Sequence, residues 1–200
     1  MKFFVNFLSA FRIFAAFAII PTLMFQWYWV SFILFALGAL SDFFDGWLAK
    51  KFNATSKLGG VLDHIGDKLL VANTFIMLTI MMPLWFIIVP VIIMIARELY
   101  ISGLREFLGT QKIEMPVPKA RFSMGKIKTT LQMITICVFL LLFAYSAWIN
   151  PTNITRGGLM FMNYLSQAGI VLVWLSLVAS VWSASQYTTT FASKLKKIKK

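Results

Sequence analysis

Residues 131–143 read LQMITICVFLLLF, a run without a charged side chain. Comparable runs recur along the chain, whose 200 residues are 60% hydrophobic and 13% charged, and whose mean hydropathy is +0.80. This composition indicates a membrane protein rather than a soluble domain. One crossing of the hydrocarbon core takes ~20 residues, so the chain is long enough for several crossings. We therefore expect an all-α membrane protein folded as a single domain, residues 1–200.

The apolar runs predict six transmembrane helices. Their approximate positions are 7–25, 28–50, 60–82, 84–109, 122–147 and 158–190, with Pro21, Pro83 and Pro151 near breaks. Basic residues cluster in alternate connections and at both ends, from Lys2 and Arg12 to the tail. By the positive-inside rule both termini are then cytoplasmic, and residues 192–200 form a basic cytoplasmic tail. This tail either fixes topology or attracts anionic lipid.

The formal net charge of +12 does not indicate a nucleic-acid partner. The basic residues lie between and beside apolar runs, where they act as topology signals. We expect membrane lipids, and no nucleic acid, among the partners of this chain.

The acidic residues carry more information, because four of the seven lie within 26 residues at the ends of two predicted helices. They are Asp42, Asp45, Asp63 and Asp67. Each pair is spaced so that its members share one face of a helix. Carboxylates gathered near a membrane interface repel each other, and a hard divalent cation with oxygen ligands relieves that repulsion. The pattern predicts a site for Mg²⁺ or Mn²⁺.

A polar, basic stretch, Lys50–Gly60, joins the two pairs and has the side chains to bind phosphate. Gly46, directly after Asp45, and Gly59, near the end of this stretch, lack side chains that would keep a nucleotide from the backbone. Glycine is also common where membrane helices pack closely. Each glycine alone therefore fits packing as well as binding.

Together these residues resemble the signature of the CDP-alcohol phosphotransferase family, D-x2-D-G-x2-A-R-x8-G-x3-D-x3-D. Every spacing fits from Asp42 to Asp67, and the one departure is Lys50, where the family has arginine. The charge is kept but the forked geometry of arginine is lost. Residues 64–66, His-Ile-Gly, also differ from the usual Pro-x-Ala of the family.

Three further segments, 6–12, 95–106 and 125–130, are similar to the bacterial phosphatidylglycerophosphate synthases of this family. The resemblance implies six membrane helices, a homodimer and a polar cavity that faces the cytoplasm, in the cytoplasmic (inner) membrane of a bacterium. It implies transfer of the phosphatidyl group from CDP-diacylglycerol to glycerol 3-phosphate, giving phosphatidylglycerophosphate and CMP.

The resemblance also implies a role for each site residue. The metal ligands for two ions are Asp42, Asp45, Asp63 and Asp67, and Asp67 is in addition the catalytic base. CDP is bound by Gly46, Ala49, Lys50 and Gly59. The phosphate of the acceptor is bound by Arg97, Arg105 and Lys126.

Other interpretations of individual residues stay open. Arg97 lies on a mainly apolar helix and has the alternative of pairing with a carboxylate. Lys128 is about 200 degrees round a helix from Lys126, so the two are not expected to face one site. His64, the only histidine, has a suitable unperturbed pKa for a proton shuttle or a metal ligand, but its position favours a packing or interface role.

Other functions remain possible as well. Within the family the acceptor could be serine, inositol phosphate or phosphatidylglycerol, although the basic pocket favours a phosphorylated one. Intramembrane prenyltransferases also hold metal diphosphate with aspartates, but generally have more helices. A divalent-cation transporter would be expected to carry its acids near the middle of the bilayer, not beside basic loops.

Overall fold

The computed structural model describes residues 2–52, 57–110, 124–149 and 155–198, and the side chains of residues 7–41, 59–110, 124–149, 155–193 and 195. The regular elements of these residues are all helical. They are α1 (Lys2–Met24), α2 (Tyr28–Phe52), α3 (Lys57–Met81), α4 (Trp85–Thr110), α5 (Met124–Trp148) and α6 (Arg156–Ile198). The prediction of an all-helical chain is confirmed for this part of the protein. The largest difference is in α6, which continues to Ile198 rather than ending near residue 190.

Five helices contain a stretch long and apolar enough to cross a membrane. These stretches are Phe7–Met24, Gly59–Met81, Trp85–Thr110, Met124–Trp148 and Arg156–Ser193. The apolar part of α2, Tyr28–Ser41, is shorter, so a sixth crossing stays a prediction. Large apolar side chains face outward on α1, where Phe14 is 64% exposed and Phe17 is 55% exposed. Such exposure would be costly in water and fits contact with lipid.

A Schellman motif ends α1. The amide of Trp27 donates to the carbonyl of Thr22 over 2.8 Å, and the amide of Gln26 donates to the carbonyl of Leu23 over 3.0 Å. Gln26 has a φ of 61°, the left-handed conformation that this motif needs. The turn is closed by Ser31, whose hydroxyl donates to Thr22 Oγ1 over 2.9 Å. The motif reverses the chain within three residues, and α2 begins at Tyr28.

The first of two compact units comprises Met1–Met82 and Met133–Gly169. Within it α1 packs against both α2 and α3. The contact face of α1 includes Ala15 and Ala16, both fully buried. Small side chains let membrane helices approach closely. Gly169 does the same for α6, since a Cβ atom there would lie 2.8 Å from the ring of Phe139.

The second compact unit comprises Pro83–Gln132 and Ile170–Lys200. Its apolar core includes Ile87, Val91, Met94, Ile101 and Leu108, which recur at helical spacing along one face of α4. Further along α4, the ring of Phe107 meets the ring of Phe191 on α6, with centroids 5.9 Å apart. Two of the predicted phosphate ligands, Arg97 and Arg105, lie on α4 among these apolar residues.

Candidate functional site

Asp63 and Asp67 lie one turn apart on the same face of α3, as their spacing predicts. Both carboxylates are only partly covered, the Asp63 side chain being 41% exposed and the Asp67 side chain 27%. The two side chains therefore form a polar patch on a helix that is otherwise apolar enough to cross a membrane.

Arg12 of α1 contacts this patch from the buried side, and its own side chain is fully buried. Its Nη1 atom donates to Asp63 Oδ1 over 2.7 Å and to Asp67 Oδ1 over 2.6 Å. A terminal guanidinium nitrogen carries two hydrogens, so each carboxylate receives one of them. One buried cation thus brings the two carboxylates together.

In the sequence, Arg12 is a topology charge and the end of the family-like segment 6–12, and neither feature predicts a place for it in the site. The signal that could have identified it was its position inside the apolar stretch that follows Phe7. A charge within a membrane helix normally has a partner or faces a cavity. The partner could not be chosen from the sequence, because the contacts of Arg12 lie 51 and 55 residues away.

Arg12 is surrounded by a short chain of hydrogen bonds and by the close approach of α3. Arg12 Nε donates to Ser41 Oγ over 3.3 Å, and the Ser41 hydroxyl donates to the carbonyl of Gly38 over 2.7 Å. Gly66 lies between the two aspartates along α3, where an added Cβ atom would be 3.4 Å from Arg12 Cβ. Gly66 therefore faces α1 at this level, and an added methyl group would be in van der Waals contact with it.

The other candidate residues of the aspartate patch are described in less detail. The backbone of α2 is helical through the positions of Asp42, Asp45, Gly46, Ala49 and Lys50. Their side chains lie outside the described residues. Gly59 is buried in the first turns of α3, and His64 is exposed.

The two described aspartates could supply part of a site for a divalent metal ion, since no group of three or more possible ligands occurs among the described residues. Asp63 and Asp67 offer hard carboxylate oxygens that converge on one place and are partly accessible, which is the donor chemistry that Mg²⁺ and Mn²⁺ prefer. The sequence predicts that Asp42 and Asp45 belong to the same set, and their side chains lie outside the described residues.

A second cluster surrounds Glu98 in the second compact unit. Arg97 Nη1 donates to Glu98 Oε1 over 2.8 Å, and Lys128 Nζ pairs with the same oxygen. Arg97 Nη2 donates to Ser183 Oγ over 2.9 Å. Arg97 is therefore paired with a carboxylate, the alternative that the sequence left open. Its Nε atom is buried and has no hydrogen-bond partner in the described part of the chain.

Arg105 is bound differently. Its Nη2 atom donates to the hydroxyl of Tyr187 over 2.9 Å, and its guanidinium carbon lies 5.0 Å from the centroid of that ring. Among the described residues, neither Arg105 nor Lys126 has an acidic partner, and Lys126 is exposed. Of the three predicted phosphate ligands, these two are not neutralised by any acid in the described part of the chain. Tyr187 was not anticipated, because a tyrosine near the end of a long helix has no distinctive pattern in one sequence.

The model of the CDP-alcohol phosphatidyltransferase family matches residues 3–182. The chain belongs to this family. The match includes Arg12, both aspartates of α3, and Arg97, Glu98 and Lys128, but Ser183 and Tyr187 lie just beyond it. It therefore covers most of what the structure brings together.

Relatives within the family are similar over most of their length. The chain is 33% identical over 172 residues to a protein of Salmonella paratyphi A, covering 86% of this chain and 84% of that protein. It is 32% identical over 163 residues to a protein of Escherichia coli K12, covering 82% of this chain and 79% of that protein. Both relatives are named CDP-diacylglycerol--glycerol-3-phosphate 3-phosphatidyltransferase.

Proposed function

We propose that this chain is an enzyme that transfers the phosphatidyl group of CDP-diacylglycerol to glycerol 3-phosphate, forming phosphatidylglycerophosphate and releasing CMP. The observation that carries the proposal is the pair of partly exposed carboxylates, Asp63 and Asp67, held together on one face of α3. This pair completes the second half of the family signature. The names and coverage of the two bacterial relatives support the choice of substrates.

The donor is proposed to bind at the aspartates. Two Mg²⁺ or Mn²⁺ ions would be held by Asp42, Asp45, Asp63 and Asp67. When bound, such ions stabilise negative charge on phosphate oxygens and on a leaving phosphate. The CDP group would contact Gly46, Ala49, Lys50 and Gly59, while the acyl chains stay in the bilayer.

The acceptor is proposed to bind through its phosphate in the second compact unit. Arg105 is the strongest candidate ligand, because its charge is not neutralised by any acid of the described residues. Lys126 would add a second cation. Arg97 shares its charge with Glu98, but its unpartnered Nε atom still offers one donor to a phosphate oxygen.

In the reaction, the primary hydroxyl of glycerol 3-phosphate attacks the β-phosphorus of the donor. Asp67 takes the hydroxyl proton as the new oxygen–phosphorus bond forms. The bond from the β-phosphorus to the bridging oxygen breaks, and CMP leaves with that oxygen. Arg105 and Lys126 would orient the acceptor by binding the phosphate at its other end, which lowers the entropy cost of the encounter.

The remaining proposals concern the surroundings of the enzyme. Six crossings with both termini in the cytoplasm follow the distribution of basic residues in the sequence. The family resemblance supports a homodimer, a single domain, and a site open to the cytoplasm in the inner membrane of a bacterium. The multiple apolar helices of the described residues support a membrane location.

The test is incorporation of labelled glycerol 3-phosphate into lipid by the purified chain. Incorporation should require CDP-diacylglycerol and a divalent cation, and should release CMP. Serine, inositol phosphate and phosphatidylglycerol should be tested as acceptors in parallel. CMP release with one of these, and none with glycerol 3-phosphate, would refute the assigned acceptor. Cation uptake into vesicles without CMP release would favour a transporter.

A further inference from the structure

Arg12 has no role in the proposed reaction, although it contacts two of the proposed site residues, Asp63 and Asp67. It is fully buried, its Nη1 atom contacts both Asp63 and Asp67, and Ser41 fixes its Nε atom. The carboxylates are partly exposed while the guanidinium is not, so the acids lie between Arg12 and the surroundings. A ligand that approached the acids from their exposed side would not have to move Arg12.

The charges explain why such a residue matters. Two carboxylates one turn apart repel each other, and the repulsion is large where water is scarce. A divalent cation relieves it, but only while the cation is bound. Arg12 relieves part of it permanently, because a guanidinium stays protonated in proteins.

We propose that Arg12 is the built-in counter-cation of the aspartate pair, a positioning residue that keeps the metal-free site folded and, by the same charge, weakens metal binding there. This inference rests on the metal site of the proposed function. It makes Arg12 and the metal ion partial substitutes, so that removing one should increase the dependence on the other.

The experiment compares the full-length protein with Arg12→Met in detergent, using Mn²⁺ alone as the probe. Methionine keeps much of the length of the side chain and removes the charge. In the presence of a chelator, Arg12→Met should unfold at a lower temperature than the wild type. Saturating Mn²⁺ should restore most of this loss, because the metal supplies the missing charge. The variant should bind Mn²⁺ about 10-fold more tightly, a usual size for coupling between two ligands.

Asn73→Ala is the matched control. Asn73 Nδ2 donates to the carbonyl of Ala16 over 2.9 Å and so also joins α3 to α1, but away from the aspartates. This variant should lose thermal stability by the same amount with and without Mn²⁺, and its Mn²⁺ affinity should equal that of the wild type. It reports what loosening the α1 and α3 contact does by itself.

The outcomes separate the possibilities. Equal losses of stability for Arg12→Met with and without Mn²⁺, or unchanged or weaker Mn²⁺ binding, would overturn the proposal and leave Arg12 a packing residue. If Arg12→Met cannot be purified even with Mn²⁺ present throughout, the proposal also fails, since the metal should then replace the charge. Arg12→Lys keeps the charge and should bind Mn²⁺ as the wild type does.

A last variant distinguishes this inference from the proposed function. Asp63→Asn removes one proposed metal ligand and should weaken Mn²⁺ binding. If Asp63→Asn binds Mn²⁺ as tightly as the wild type, the proposed metal site is wrong and the inference falls with it. If Asp63→Asn binds weakly but Arg12→Met does not bind more tightly, only the role of Arg12 is refuted.

Discussion

The guanidinium of Arg105 and the ring of Tyr187 form a cation–π and hydrogen-bonded pair, with 5.0 Å between the guanidinium carbon and the ring centroid and 2.9 Å between Nη2 and the hydroxyl. An aromatic face and a hydroxyl hold an arginine in one orientation without neutralising its charge. A carboxylate partner would hold it equally well but would compete with an incoming phosphate. This pairing is therefore suited to a residue that must bind an anion.

Replacing Arg105 by glutamine should raise the KM for glycerol 3-phosphate much more than the KM for CDP-diacylglycerol. The change removes a charge-assisted contact to one substrate only. Tyr187→Phe should change the same constant in the same direction by a smaller amount, since it removes only the hydroxyl. Tyr100→Phe is the control, because the Tyr100 hydroxyl accepts from Thr188 instead. Equal effects of Arg105→Gln on both substrates would contradict an acceptor site here.

Replacing Asp67 by asparagine should reduce kcat by about 100- to 10,000-fold, the usual contribution of a general base. Size is kept and the group that accepts the proton is lost. Mn²⁺ affinity must be measured on the same preparation, because the proposal also makes Asp67 a metal ligand. A wild-type rate at saturating metal would show that another group activates the hydroxyl, and His64 would be the first to test.

Replacing Glu98 by glutamine should lower the stability of the protein by about 2 kcal/mol or more, because Arg97 and Lys128 would lose their shared carboxylate. Both cations are largely buried, so water cannot compensate fully. Glu106→Gln is the control on the same helix. Glu106 is exposed, and the substitution should change stability by less than about 0.5 kcal/mol. Thermal unfolding in detergent would measure both, and similar values would contradict the prediction.

Two glycines should respond in opposite ways to alanine. Gly66→Ala should be tolerated or stabilising by up to about 1 kcal/mol, because alanine favours a helix and the nearest atoms would be 3.4 Å from the new Cβ. Gly169→Ala should destabilise by about 1–3 kcal/mol, because its Cβ would meet the buried ring of Phe139 at 2.8 Å. Thermal midpoints of the two variants would decide, and a stable Gly169→Ala would show that Phe139 can move.

Gln26→Gly should stabilise the protein by about 0.5–1 kcal/mol. Gln26 holds a φ of 61°, which costs a residue with a side chain more than it costs glycine. The amide of Gln26 would still donate to Leu23, so the Schellman motif keeps its hydrogen bonds. A lower thermal midpoint would mean that the Gln26 side chain contributes more than its strained backbone removes.

The helices could be predicted from the sequence because hydrophobic runs of helical length are a local property. The turn before Tyr28 and the breaks near Pro83 lie where the polar and proline residues indicated. The extension of α6 from residue 190 to Ile198 could not be predicted, because residues 191–198 carry no apolar run long enough to indicate a helix. A helix can continue through polar residues because its backbone hydrogen bonds form within the helix and need no apolar contact.

Some residues of the site could be predicted and others could not, because one sequence shows only relationships between nearby positions. Asp63 and Asp67 could be grouped because their spacing and family pattern are both local. The partners Arg12, Ser41, Ser183 and Tyr187 could not be assigned, since each contact joins residues 29 or more positions apart. The preference for Lys126 over Lys128 as the phosphate ligand stays a prediction, and the pairing of Lys128 with Glu98 supports it.

The contact between Arg12 and the aspartates also sets an order for biogenesis. Arg12 is synthesised 51 residues before Asp63. Translation at about 5–20 residues per second leaves it without that partner for several seconds. An arginine inside a membrane helix is costly until it meets a partner or a polar cavity. The contact that joins α1 to the aspartates of α3 can therefore form only after the third helix has been made.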